Sequence, residues 1–392
     1  MLKNKLLVAA LLLAGYTAPA QVNDPMITNW WFNTTNNTYK GILTDVEAVY
    51  YNTQNVYVKS SGIPNYYLDG QSVNNGKDLQ ATWQIPRTPQ KSNNPGFVQG
   101  GQIGLMLDGS VFFHPGDAQS YNNAGVWNRL AYYFEGMDMD ASNGHSTPTN
   151  MYHHHFDNLK LHGFDSTQHS PIVAYAWDGY PVYGPFGYKN TDGTGGTKRM
   201  VSGYQVTGGT TRTNGPAKSG QYPDGCFIED WQYNAGSGDL DEHNGRFCVT
   251  PEYPNGTYAY FTTIDTDYKP YYPYFIGPSF YGTFSIANTG PNGGKTTIPN
   301  DATPYTSVDE VAMIEANIEL YPIPVTDNLN IRMKENKTYK VTLYNLDGKV
   351  LDSRSIAQST AITMSQLPYG VYFIQVAAPD NSTGFIKRIV KQ

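Results

Sequence analysis

Apolar and polar residues alternate in short runs along most of this chain, the period-two pattern of a half-buried strand. Val46-Glu47-Ala48-Val49-Tyr50 and Asn55-Val56-Tyr57-Val58 show it near the start. Two longer stretches, Leu105 to Phe113 and Ile172 to Tyr183, each set an Asp-Gly pair between apolar runs. Asp108-Gly109 and Asp178-Gly179 therefore predict hairpins with type I′ turns, in which both central residues take positive φ. Further along, Asn328-Leu329-Asn330-Ile331 alternates, Val341 to Tyr344 and Lys349 to Leu351 flank Asp347-Gly348, and Val371 to Ile374 follows Pro368-Tyr369-Gly370. The reading is mostly β with few helices: a central β-rich domain over residues 21–294 and a small β module over 318–392. Gly290 to Thr306 is rich in Gly, Pro, Thr and Asn. It reads as connecting chain, with the linker assigned to 295–317.

Composition narrows this picture. A length of 392 residues suits two or three domains. The 39 Gly and 25 Pro supply the turns, and 32 Tyr among 14% aromatic residues exclude a disordered acidic chain. With a net charge of −7, only 15% charged residues and no Lys/Arg-rich block, the chain is not a nucleic-acid binder. Lys3 and Lys5 precede an apolar run from Leu6 to Gly15, and Ala18-Pro19-Ala20 follows as a small-x-small cleavage site. Residues 1–20 therefore read as a signal peptide, with the mature chain starting near Gln21. No later segment approaches the ~20 apolar residues of a transmembrane helix. In an exported protein the two cysteines, Cys226 and Cys248, are expected to form a disulfide, worth about 3 kcal/mol for a loop of this length. The alternative is two buried thiols that never meet.

The chemistry gathers in the middle. All eight His lie between His114 and His243, and His145, His153-His154-His155, His162 and His169 cluster. In an extended backbone His153 and His155 share one face and His154 points the other way. Two imidazoles at i and i+2 can chelate one ion, and nitrogen ligands suit zinc, copper, nickel and iron. The expected metal ligands are His153, His155, His169 and His145, with Asp178 and Asp157 as carboxylate candidates. Asp239 to Asn244 offers a second acidic cluster. It is not an EF-hand, because His243 stands at position 5 and Thr250 replaces the bidentate Glu. Asp241, Glu242 and His243 are the candidates for a general base. No G-x-S-x-G elbow, H-E-x-x-H, Walker loop or G-x-G-x-x-G is present. The aromatic groups Trp30-Trp31 and Tyr271-Tyr272-Pro273-Tyr274-Phe275 could stack on sugars or pack the core.

Two resemblances follow from these motifs. Leu320-Tyr321-Pro322-Ile323-Pro324, the turn Asn345-Leu346-Asp347-Gly348, Leu367-Pro368-Tyr369-Gly370-Val371-Tyr372 and the basic last strand resemble the type A sorting domain of the type IX secretion system of Bacteroidetes. Ile323 departs from that family's usual Asn after Tyr-Pro. The resemblance implies an Ig-like β-sandwich tail, passage through the periplasm by the type IX machinery, and release or outer-membrane surface attachment. The central region, from about residue 35 to 285, resembles the bacterial YHYH family in its longer, secreted form. The naming motif falls on Tyr152-His153-His154-His155, with His154 where the family name has Tyr. Matching stretches include Asp117 to Asn123, Gly125 to Arg129, Gln168 to Ile172, Asp178 to Pro185, Asp239 to Phe247 and Tyr253 to Phe261. This family resemblance implies no particular activity. Two functions remain open. One is a secreted or surface protein with a histidine-based zinc or copper site, serving metal-dependent hydrolysis or metal handling. The other is a non-enzymatic adhesive protein for carbohydrate or protein, with structural histidines.

Overall fold

The computed structural model of the chain describes residues 24–66, 76–98, 100–158, 161–163, 165–209, 211–284, 286–290, 293–305, 314–334, 337–378 and 384–392. The expected signal peptide lies outside the described residues. The first strands are β1 (Val46–Tyr51), β2 (Asn55–Ser60) and β3 (Ala81–Pro86), paired antiparallel in sequence order. Both stretches read as strands are strands, with Val46, Val49, Val56 and Val58 buried, and β3 alternates strictly: Ala81, Trp83 and Ile85 point into the core, and Thr82, Gln84 and Pro86 are only half-buried.

The main sheet has eight strands: β4 (Gln102–Met106), β5 (Val111–Phe113), β6 (Gly144–Ser146), β7 (Tyr152–His154), β8 (Ile172–Ala176), β9 (Pro181–Tyr183), β10 (Gly245–Cys248) and β11 (Thr257–Phe261). Their order across the sheet is β6-β7-β5-β4-β8-β9-β11-β10. The pairs β7/β5 and β9/β11 are parallel, and the remaining pairs are antiparallel. Central strands β4 and β8 are buried on both faces, which is why Ile172-Val173-Ala174-Tyr175-Ala176 is continuously apolar and not alternating. Trp83 of the first sheet stacks on Trp177 beyond β8, with ring centroids 5.3 Å apart. The two sheets share one hydrophobic core.

Both Asp-Gly pairs do make hairpin turns, β4/β5 and β8/β9, but not of the expected type. Only the glycines have positive φ, +82° at Gly109 and +88° at Gly179. The aspartates stay at negative φ because their carboxylates are used locally. Asp108 Oδ1 accepts from Ser110 N and Oγ, and Asp178 Oδ1 accepts from Tyr180 N. An Asx side chain that bonds its own turn favours a wider loop with a single left-handed glycine.

A further strand, β12 (Thr303–Tyr305), lies within the stretch read as a linker and pairs antiparallel with β1. Phe32 and Tyr305 meet across it with ring centroids 5.9 Å apart. The tail forms two further antiparallel sheets around a second core. One holds β13 (Ile318–Tyr321), β14 (Asn328–Met333) and β17 (Thr360–Thr363). The other holds β15 (Tyr339–Tyr344), β16 (Val350–Ile356), β18 (Gly370–Ala377) and β19 (Gly384–Lys391). Leu329, Ile331, Val341, Leu343, Ile374 and Ile389 fill the space between them.

The expected disulfide is absent. Cys226 and Cys248 are both buried and free. Cys226 packs beside the buried Arg212–Asp230 ion pair, whereas Cys248 sits on edge strand β10. Burial pushes the Cys226 thiol up to about 12, so it is an inert small core residue. Of the aromatic groups, Trp30, Tyr272, Tyr274 and Phe275 are core residues, and Trp31 is exposed.

Candidate metal centre

Strand β7 is extended, so its side chains alternate. His153 and His155 turn to one face, where their Nε2 atoms are 2.9 Å apart. The β6/β7 hairpin places His145 directly opposite His153. His145, His153 and His155 thus offer three ligand atoms within 4.8 Å of one another, and all three residues are buried. The hairpin is closed by Thr147, whose N donates to Met151 O and whose Oγ1 accepts from Met151 N.

The rings are aimed from behind. His153 Nδ1 lies 3.2 Å from Met151 O, and His155 Nδ1 lies 2.8 Å from His114 O. A carbonyl oxygen can only accept, so both Nδ1 atoms carry a hydrogen, and in the neutral rings the lone pairs lie on Nε2. Phe113 stacks on His153, with centroids 3.9 Å apart, and meets His155 edge-on. Burial, and then the neighbouring His155, hold His145 down at about 4, and the same causes hold His153 well below the usual imidazole range. Both are neutral at neutral pH, the form that binds metal.

A carboxylate not anticipated from the sequence joins them. Glu135 caps the short helix α1 (Ala131–Phe134). Its Oε2 lies 3.3 Å from His155 Nε2 and 3.6 Å from His145 Nε2. Glu135 Oε2 and His145 Nε2 are both buried without a hydrogen-bond partner. The group opens on a cleft of ≈ 620 Å³ whose walls include Phe113, Asp117, Asp138, Pro148 and Met151. No lysine or arginine is among the residues lining it.

The other expected ligands stand elsewhere. His169 is packed among Tyr183, Tyr188 and Phe261, with Nδ1 2.7 Å from Ser170 O. Asp178 is fully enclosed in the β8/β9 turn, where Oδ2 accepts from Tyr260 OH and Gly282 N. Asp157 is held by His162 at 2.9 Å and by Thr262. The structure does not bring these three residues to the His145, His153 and His155 group. Asp157 and Asp178 are satisfied by local partners and His169 Nδ1 by Ser170 O, with His169 Nε2 enclosed away from the group, and a one-dimensional cluster of His does not say which share a face. The proposed general bases are also displaced. Asp241 Oδ1 accepts from His243 N, Gly245 N and Tyr258 OH, His243 Nδ1 faces Ser279, and Glu242 is exposed. They lie beside β10, six strand positions across the sheet from β7, at roughly 4.8 Å per position.

His154, on the reverse face, is fully buried in a separate polar network. Its Nε2 lies 2.9 Å from Tyr66 OH, which donates to Asp108 Oδ2 and accepts from Asn158 Nδ2. Tyr152 OH donates to Asp140 Oδ2, and Asp140 Oδ1 accepts from Ser142 N and Gly144 N, bracing the strand that carries His145.

Residues 82–273 match the model of the YHYH protein family, and residues 319–392 match that of the secretion system C-terminal sorting domain. The chain carries a YHYH domain and a secretion sorting tail. The YHYH match is narrower than the span expected from the motifs, leaving β1 and β2 outside it. It contains Glu135, His145, His153 and His155. The sorting tail implies export by the type IX route. No helix among the described residues is long and apolar enough to cross a membrane. No curated protein matches the chain. Among solved structures, the chain is similar to PorZ of Porphyromonas gingivalis, described as an essential bacterial surface component of the type-IX secretion system. That pair is 11% identical over 89% of this chain and 51% of the PorZ chain, with a TM-score of 0.18. The chain spans about half the length of PorZ, and a likeness at that score carries no argument.

Proposed function

We propose that this exported protein is a mononuclear metalloprotein whose His145, His153 and His155 hold one transition-metal ion, zinc or copper, at the wall of the cleft. One observation carries the reading. His153 and His155 each commit Nδ1–H to a main-chain carbonyl, so in the neutral rings their Nε2 lone pairs face each other at 2.9 Å. Two buried acceptors at that distance repel, and a shared cation removes the conflict. A structural role for the histidines leaves this arrangement unexplained, which counts against the adhesive alternative.

Three imidazoles suit both zinc and copper. Zinc so held supplies Lewis acidity and a bound water of lowered pKa, the chemistry of hydrolysis. The protein's own contribution is to orient the ligands through Met151 and His114, and to keep the rings neutral by burial against Phe113. Glu135 and Asp138, with no basic lining residue and with Asp117 already paired to Arg129, favour a neutral or cationic substrate over a phosphate or carboxylate. Elemental analysis of the purified exported chain tests the core claim. Close to one equivalent of zinc or copper is expected, falling sharply in His145→Ala, His153→Ala and His155→Ala. A folded wild-type protein that stays metal-free after incubation with either ion sinks the reading.

A further inference from the structure

The three imidazoles are not the whole donor set. Glu135 Oε2 is buried, accepts no hydrogen bond, and faces only the ligand nitrogens. A carboxylate oxygen withdrawn from water and left without a donor is costly, and proteins retain one where a cation or proton completes it. The nearest imidazole nitrogens do not supply that proton. His145 Nε2 stands 3.6 Å away, too far for a hydrogen bond. His155 Nε2, at 3.3 Å, presents a lone pair in the neutral ring, whose one hydrogen points to His114 O.

The distances fit coordination instead. Ligands about 2.0–2.1 Å from a tetrahedral zinc stand roughly 3.3–3.4 Å from one another. Glu135 Oε2 is 3.3 and 3.6 Å from two of the nitrogens, so it lies within the shell of such an ion. A base acting on a bound water would stand one shell further out. Glu135 also approaches from outside the sheet: it leaves the C-terminal end of α1, and the next turn, Gly136–Asp138, runs along the cleft.

Resting on the three-histidine reading above, we propose that Glu135 Oε2 is the fourth protein ligand, so that the chain holds its ion in a three-histidine, one-carboxylate set. The cofactor class narrows accordingly. An anionic oxygen beside three neutral nitrogens favours a divalent ion of borderline hardness, zinc or cupric copper, over cuprous copper, which prefers sulfur donors. A four-coordinate ion is then filled by the protein at rest. A molecule from the cleft reaches it by displacing Glu135 or by raising the coordination number, and Glu135, borne on a short helix end and not on the sheet, is the ligand best placed to move.

The test uses cobalt(II) alone as a spectroscopic stand-in for zinc, titrated into the metal-stripped full chain. Wild type is expected to show the intense visible bands of a four-coordinate centre. Glu135→Gln and Glu135→Ala, each checked for wild-type circular dichroism, should weaken cobalt affinity by more than about a hundredfold and change the visible bands, beyond the roughly 10–100-fold cost of losing an outer partner. His153→Ala should abolish the spectrum. If both Glu135 variants bind cobalt within about twofold of wild type and with an unchanged spectrum, the carboxylate is not a ligand while the three-histidine centre stands. If wild type itself takes up no cobalt, both readings fall together.

Discussion

His154 separates the two faces of β7, and substituting it tests the whole geometry of the centre. Its imidazole is fully buried, packs edge-on against Tyr152 at 5.3 Å, and joins Tyr66 through Nε2. His154→Ala removes a ring from a closed site, for which truncation of a large core side chain costs about 2–4 kcal/mol. It also takes one partner from Tyr66 OH, adding about 0.5–1.5 kcal/mol. Asp108 and Asn158 still hold that hydroxyl, so the total should stay near 3 kcal/mol. None of this touches the ligand face. The expected outcome is a chain less stable by about 3 kcal/mol in chelator that still binds one metal equivalent when folded. All six Trp lie before residue 232, so tryptophan fluorescence during denaturant unfolding follows the YHYH domain and not the sorting tail. Metal content read on the same samples gives the second axis. A folded His154→Ala that has lost its metal would overturn the assignment of faces. A loss below about 1 kcal/mol would mean that the Tyr66 network is not closed around the ring.

Gly179 at φ +88° has no room for a side chain, since a Cβ there would stand 2.3 Å from Pro86 O. Gly179→Ala should cost about 2 kcal/mol or more, from left-handed strain and from moving a neighbouring backbone, and a loss under about 0.5 kcal/mol in denaturant unfolding would refute the turn. Truncation after Pro299 removes β12 and should destabilise the domain by about 1–3 kcal/mol, whereas truncation after Thr306 should not, and equal unfolding midpoints would show the strand to be dispensable. Because burial lowers His145 to about 4, protons compete for that ligand only near that pH. Metal retention followed by elemental analysis should therefore persist well below the ordinary imidazole value of about 6.5 and fail as pH drops towards 4, and release centred at 6.5 would contradict the buried, neutral site. Intact-mass measurement of exported protein should show a start near Gln21 and loss of the sorting tail, and a full-length cytoplasmic product would refute the export reading.

The strands were legible because alternation is a local property. Ala81 to Pro86 and Asn328 to Met333 carry their burial in their own spelling, and Tyr152-His153-His154-His155 yields its two faces from the same rule. What was not legible depended on pairing. His145 joins His153 because β6 and β7 are adjacent, and His169 does not because β8 begins on the other side of β4. Nothing in Tyr132-Tyr133-Phe134-Glu135 marks Glu135, since a four-residue helix has no periodicity to read and its carboxylate reaches the site only through the tertiary fold. The turn type at Asp108 and Asp178 was missed for a related reason. Asp-Gly permits two loop geometries, and the choice rests on the Asp side chain bonding its own turn, as with Ser110 and Tyr180. Thr303–Tyr305 was read as linker because three residues are too few to show an alternation.

One parallel pairing explains why the centre lies where it does. In an antiparallel meander each strand's neighbour comes from the adjacent hairpin, and a site at the edge would be built from one hairpin alone. Here β7 docks parallel to β5, with His153 opposite Val111 and His154 opposite Phe112. That pairing brings the chain leaving β5 alongside the chain leaving β7 in the same direction. Phe113 can then stack on His153, and the His114 carbonyl can fix His155. The β6/β7 hairpin adds His145 from the outer side, and the segment between β5 and β6 must cross over the edge, carrying α1 and Glu135 with it. One parallel junction therefore recruits four donors from three separate stretches of sequence, and it leaves the edge of the sheet covered by the crossover segment and not open to pairing with another chain. The cleft is the space between that crossover and the sheet. Its acidic wall comes from Asp138, borne on the crossover, while Asp117 is paired with Arg129, so the element that closes the donor set also sets the charge of whatever can approach it.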